Sequence, residues 1–312
     1  MMTKQVKDFE EGDHLEINLL ISSIAKGTTN SGAPYLSLTL QDCTKSIEAK
    51  MWDVKTEIDK QLTVGKVYSF VLEVIKYKNN LQCKVLKVMP ISMNDINIDD
   101  FVFKSPISKD DLRNNIQEGI NMIENQNIAR IVSGMLNYYA NAVYEYPAAS
   151  KIHHNFIGGL ATHVSGMLKL GAAIASIYPS VNRDYLIGGI IVHDLGKIEE
   201  FTSPIMTEYS ISGKLLGHIS IVDSRLLQIG KELNLEDSEE LLLLRHMVLA
   251  HHGQYDYGSP MRPATLEAEL LYMIDNIDAK VNILEKALDE IEEGEFTGKL
   301  FALDNRVFYK HK

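Results

Sequence analysis

"APYLSLTLQDCTKSIEAKMWD", residues 33–53, decides the first half of the fold. Leu36, Leu38 and Leu40 alternate with Tyr35, Ser37 and Thr39; Ile47, Ala49 and Met51 alternate with Glu48, Lys50 and Trp52. A side-chain period of two places each set on its own face, so the stretch predicts two strands with one apolar and one polar face. Upstream, "HLEINLLISSIAKG" (14–27) reads as another strand. Downstream, "GKVYSFVLEVIKYKNNLQCKVLKVMP" (65–90) reads as two more, joined at Asn79-Asn80, a dipeptide suited to a tight hairpin.

Five strands in about 75 residues match the size of a small Greek-key barrel of the OB type. Beyond them, Pro90 and Pro106 bracket an Asp- and Asn-rich segment that reads as a linker. From Ser108, an N-cap residue followed by an acidic first turn, the period becomes helical. Helices are expected over 108–125, 127–144, 156–177, 184–195, 217–233, 238–250 and 264–293. The expected fold is therefore multidomain: an all-β OB-type barrel over 1–90, a linker over 91–107 and an all-α helical bundle over 108–312.

The chain has 312 residues, 45% hydrophobic and 23% charged, as in an ordinary globular protein. No uncharged apolar run approaches the ~18 residues of a membrane span, and the polar start lacks the apolar core of a signal peptide. Cys43 and Cys83 stand singly, without metal or redox spacing, and read as reduced thiols of a cytoplasmic protein. The net charge of −11 is uneven, since residues 1–90 hold 12 lysines against 11 acids. Much of the excess lies in "ELNLEDSEE" (232–240) and "LDEIEEGE" (288–295), which read as solvated ends. An acidic bulk is compatible with an anionic substrate when cations sit in the site.

His14 and His311 aside, every histidine lies between residues 153 and 252. In "VHDLGK" (192–197), His193 and Asp194 close the apolar stretch "DYLIGGIIV"; unpaired polar groups at a buried helix end demand partners. His251 and His252 end another helix, and Asp275 and Asp278 share one face of "ELLYMIDNIDAKV". Imidazoles and carboxylates without cysteine suit a divalent cation such as Mn, Fe, Co, Ni or Zn. His246 reads as a hydrogen-bonded core residue, and that reading is as good as a functional one for His153 and His154. Asp278 reads equally well as a solvated carboxylate or as support for a ligand. Lys197 reads either as a surface lysine after a Gly196 helix stop or as a fixed positive charge for a phosphate.

"ATH" (161–163), "HDLGK" (193–197), "GHIS" (217–220), "AHHG" (250–253) and "MIDNID" (273–278) resemble, in order, the motifs of the HD-domain metallophosphohydrolases over roughly residues 150–282. The resemblance implies two metal ions. It makes His163, His193, Asp194 and Asp275 ligands of the first, and Asp194 (as a bridge), His218, His251 and His252 ligands of the second. Asp194 and Lys197 would be the catalytic residues, with Lys197 meeting a phosphate oxygen. In "HHNFIGGLATH" (153–163), His154 is a candidate substrate contact and Gly158-Gly159 a place of close helix or phosphate approach.

Small barrels of this type bind single strands by aromatic stacking beside a basic groove. The outward Tyr35, Lys50 and Trp52, with Lys26 nearby, fit that use; packing of Trp52 under the linker is the plainer alternative. A barrel before an HD bundle, with "PYLSLTLQD", "AKMWD" and "NNLQCKV", closely resembles the YhaM family of bacterial 3′–5′ exoribonucleases. The resemblance implies a cytoplasmic, manganese- or cobalt-activated hydrolase of single-stranded RNA, with single-stranded DNA as a second polymer, no membrane association, and assembly with further copies of itself left open. One competing reading is an HD hydrolase of a small nucleotide or cyclic dinucleotide, which leaves the barrel unexplained. Another is an RNA-binding protein with a purely structural bundle, which leaves the ligand set unexplained.

Overall fold

The structure, a computed structural model, describes residues 4–29, 32–52, 62–78, 80–92, 96–149, 154–205 and 208–312. Asn79 of the expected hairpin turn and His153 lie outside the described residues. The chain divides into two compact units, Met1–Lys104 and Ser105–Lys312.

The first unit is a closed barrel of strands β1 (His14–Thr28), β2 (Pro34–Gln41), β3 (Ser46–Trp52), β4 (Val67–Tyr77) and β5 (Asn80–Pro90) in the order β1-β2-β3-β5-β4. Among the described residues the one parallel pairing is β3 with β5, which lets five short strands close without an open edge. Alternation sets the faces as expected. Leu36, Leu38, Leu40, Ile47, Ala49 and Met51 are buried with Leu19, Ile21, Phe70 and Leu72 in one core. Burying one such side chain is worth about 1.5–3 kcal/mol, so a one-residue slip of β2 would forfeit several at once.

The segment expected to be a linker is partly built into this unit. The Cys43 amide donates to the Asp100 carbonyl at 2.9 Å, Gln41 Nε2 donates to the Phe101 carbonyl at 2.9 Å, and Val102 is buried. Cys43 and Cys83 are both free thiols, and burial pushes the Cys83 thiol up to about 12.

The second unit is built from the helices α1 (Lys109–Asn121), α2 (Gln126–Tyr139), α3 (Gly159–Ile177), α4 (Arg183–Val192), α5 (Lys197–Glu200), α6 (Ile211–Glu232), α7 (Glu239–Ala250) and α8 (Leu266–Asp289), with isolated antiparallel bridges such as Phe296 to Tyr309 near the C-terminus. Ser108, Asn125, Asn182, Ser210, Ser238 and Thr265 cap helices by accepting from backbone amides of the first turn. Helix α4 is central, with every residue from Leu186 to Val192 buried. Among the described residues, α3 alone has the length and apolarity of a membrane-crossing helix. Its Leu160, Ala161, Val164, Met167 and Leu168 instead belong to the core of this unit, and it carries the buried His163.

Helix α6 starts six residues before the expected position. It is broken at Gly217, whose φ of 71° and ψ of 156° belong to a region essentially reserved for glycine. The break leaves the amide of His218 free to meet a side chain.

Candidate metal centre

Asp194 stands at the middle of the helical unit, 2% exposed, just past the end of α4. Its two oxygens face different histidines. Oδ2 lies 3.4 Å from His193 Nε2 and 3.9 Å from His163 Nε2. Oδ1 lies 3.5 Å from His218 Nε2 and 3.6 Å from His251 Nε2. Asp275, on α8, brings Oδ1 to 3.2 Å from His163 Nε2. The ligand atoms of His163, His193 and Asp275 lie within 4.8 Å of one another, as do those of His218, His251 and His252. The structure thus brings together all seven residues singled out in the sequence, in two groups of three with Asp194 between them.

Local structure fixes which ring nitrogen looks inward. His193 Nδ1 donates to the Ile190 carbonyl at 2.9 Å, His251 Nδ1 to the Val248 carbonyl at 2.7 Å, and His252 Nδ1 to the Tyr257 carbonyl at 2.8 Å. A carbonyl only accepts, so these Nδ1 atoms hold the proton and the Nε2 atoms present lone pairs. Among the described residues, His193 Nε2, His218 Nε2, His251 Nε2 and Asp194 Oδ1 are buried without a hydrogen-bond partner. Four electron-rich atoms converging in a buried space repel one another unless a cation lies among them. Imidazole nitrogen with carboxylate oxygen suits a transition-metal dication. The donor set therefore fits two divalent cations sharing one carboxylate.

The charges are arranged accordingly. Burial works against the charged form of Asp194, but Lys197 and His193 hold its carboxyl well below the usual range. Burial likewise opposes ionisation of Asp275 and Asp278, and the histidines against them, His163 for both and His154 for Asp278, outweigh it. Burial also disfavours His163 imidazolium, yet Asp275 and Asp278 raise it to about 9. Burial lowers His251, and burial with the neighbouring His251 lowers His252 to about 4.

Lys197 is no surface lysine. It is 8% exposed, and its ammonium donates to Asp194 Oδ2 at 2.5 Å. Gly196 is not a left-handed helix stop either: a Cβ there would meet the His218 carbonyl oxygen at 2.2 Å, so the residue must be small to let α6 approach. His154, expected as a substrate contact, is 7% exposed, and its Nε2 is engaged by Asp278 Oδ2 at 2.8 Å. His246 accepts from the Ala264 amide at 2.9 Å, and His14 and His311 are exposed.

Glu200 was missing from the candidate set, and Asp278 stood only as a solvated carboxylate or as support for a ligand. Glu200 Oε1 meets both the amide and Nδ1 of His218, at 3.0 and 3.1 Å. Asp278 Oδ2 accepts from His163 Nδ1 at 2.7 Å. The paired acids of "KIEE" gave no signal separating Glu200 from a solvated carboxylate, whereas Asp278 shared a face with Asp275.

On the barrel, Tyr35 and Trp52 are register partners on the outer face, ring centroids 5.0 Å apart, with Trp52 45% exposed. The Lys50 ammonium lies 5.6 Å from the Tyr35 ring and donates to Ser37 Oγ at 2.7 Å. The three expected strand-binding residues share one surface.

Among solved structures, the chain is similar to the second OB-fold domain of replication protein A from Methanococcus maripaludis, with 18% identity over 31% of this chain and 100% of that one, at a TM-score of 0.25. It is also similar to the protein PriB from Ralstonia solanacearum, with 14% identity over 25% of this chain and 97% of that one, at a TM-score of 0.23. The segment holding all seven convergent side chains, residues 160–280, matches the family model described as the HD domain.

Proposed function

We propose that this protein is a metal-dependent 3′–5′ exoribonuclease, hydrolysing phosphodiester bonds of single-stranded RNA, and of single-stranded DNA as a second substrate, at a dinuclear HD site. The observation that carries the reading is the division of Asp194, one oxygen toward each histidine group. When bound, two divalent cations, manganese first among them, would supply positive charge that acidifies an attacking water and offsets charge on the phosphoryl oxygens. His163, His193 and Asp275 would hold one cation, His218, His251 and His252 the other, and Asp194 both.

The chain's own groups do the rest. Nδ1 hydrogen bonds fix the imidazoles as Nε2 donors. Asp194 enforces the spacing of the two groups. Lys197, buried beside Asp194, supplies a fixed charge toward a non-bridging oxygen; loss of one such preorganised donor typically costs about 10²–10³-fold in turnover. The barrel supports a polymer over a small nucleotide, because Tyr35 and Trp52 offer stacking faces beside Lys50, the combination that sequence-tolerant single-strand binding uses. The 3′–5′ polarity is supported by the family resemblance of the motifs.

The test is to incubate the manganese-loaded protein with 5′-labelled single-stranded RNA, the same RNA with a blocked 3′ end, and cyclic dinucleotides. Progressive shortening of the first with protection of the second is expected. Cleavage of the cyclic dinucleotides alone would replace this reading with that of a small-nucleotide hydrolase.

A further inference from the structure

All five imidazoles around Asp194 have Nδ1 engaged, but the acceptors differ in kind. Backbone carbonyls hold His193, His251 and His252. Carboxylates hold the other two, one in each group: Asp278 for His163 and Glu200 for His218. A carboxylate acceptor keeps the proton on Nδ1 more firmly than a carbonyl and strengthens Nε2 as a donor.

Both carboxylates are themselves anchored. Asp278 is also engaged by His154 Nε2 at 2.8 Å, and the His154 amide donates to Asn282 Oδ1 at 3.1 Å, one turn further along α8. The loop holding His154 lies tight against α3, where a Cβ on Gly159 would meet the His154 carbonyl oxygen. Glu200 accepts twice from His218, once from the amide that the Gly217 break exposes. Although His154, His163 and Asp278 also lie within ligand distance of one another, Asp278 sits on the Nδ1 side of His163, opposite the Nε2 that faces Asp194 and Asp275.

We infer that Asp278 and Glu200 are positioning residues that divide the dinuclear site between them. Asp278 sets the orientation and donor strength of His163 for one cation, and Glu200 does the same through His218 for the other. The inference rests on the two-cation reading and goes beyond it, because it assigns each cation its own independently adjustable support.

The experiment is calorimetric titration of Mn2+ into metal-free wild type, Asp278→Asn and Glu200→Gln. Wild type should take up two cations per chain. Asp278→Asn should weaken one binding step by about 10–100-fold and spare the other, and Glu200→Gln should weaken the step that Asp278→Asn spares. Two cations bound as in wild type by both variants, or both steps weakened equally by each, would overturn the division of labour while leaving the dinuclear reading intact. Fewer than two cations on wild type would overturn the dinuclear reading itself. Imidazole 15N spectra of the Zn2+-loaded wild type need no variant: the proton should remain on Nδ1 of His163 and His218, and an Nε2-protonated form of either would refute the assignment.

Discussion

Loading the centre with metal should displace a specific proton. His163 is raised to about 9 in the metal-free protein, so at neutral pH its Nε2 carries a proton that a cation must expel. His251 and His252 are both lowered, the latter to about 4, and have no such proton to lose. A group titrating near 9 is about nine-tenths protonated at pH 8, about half at pH 9 and about a tenth at pH 10. Cation uptake should therefore release a wave of protons that fades across this range with a midpoint near pH 9. The assay is calorimetry of Mn2+ binding in pairs of buffers with different ionisation enthalpies, at pH 7, 8, 9 and 10. In His163→Gln the wave should vanish while binding at the other group persists. A release that stays flat from pH 7 to 10, or that survives intact in His163→Gln, would refute the assignment of the proton to His163.

Metal-free stability should depend on pH in both directions. His163, raised from 6.5 to about 9, stabilises fully below 6.5, and about 3 kcal/mol is lost as pH rises through 9. His252, lowered to about 4, acts oppositely: its neutral form favours the fold above 6.5, and that contribution fades as pH falls toward 4. Urea midpoints of the metal-free protein should thus peak near pH 6.5, and an unchanged midpoint from 6.5 to 9.5 would contradict the His163 environment. Trp52→Ala should weaken binding of single-stranded RNA by about 1–3 kcal/mol, read by fluorescence anisotropy, with hydrolysis of short fragments unaffected. Gly217→Ala forces an alanine into φ 71°, ψ 156°, and should cost about 1–3 kcal/mol in urea unfolding and weaken cation uptake at the His218 group.

The barrel was legible because strand alternation needs no distant information. Each residue's face follows from its neighbours, so Leu36 through Met51 declare their burial in sequence order. His193, Asp194, His251 and His252 were legible for a different reason: histidine and aspartate at apolar helix ends are costly without a partner, so their presence signals one. Asp275 was read from the helix face it shares with Asp278, while His163 and His218 joined the set through the resemblance of the ordered motifs. What escaped were residues whose meaning depends on a contact far along the chain. Glu199 and Glu200 are adjacent acids, yet Glu199 binds Arg225 at 2.8 Å and Tyr139 at 2.8 Å, while Glu200 binds His218. The start of α6 escaped because Ile211, Leu215 and Leu216 are exposed and give no amphipathic pattern, and because Gly217 looks like a helix boundary. The tie of Asp100 and Phe101 to the barrel escaped because it runs through backbone carbonyls, which no side-chain pattern reports.

On the proposed function, the same charges would let an acidic chain handle an anionic polymer. Asp194, Asp275, Asp278 and Glu200 are all held below the usual carboxylate range, so the metal-free cluster sets four negative groups against Lys197 and the His163 imidazolium. A phosphate approaching that cluster would be repelled. Two divalent cations, entering at the expense of one proton, would reverse the sign of the same space. On this reading the Nδ1 hydrogen bonds and the anchored carboxylates prepare the cluster for cations, and the cations in turn prepare it for phosphate. The outer face of the barrel, with Lys50 beside Tyr35 and Trp52, needs no such reversal, so strand binding there should persist when the metal is removed and hydrolysis should not.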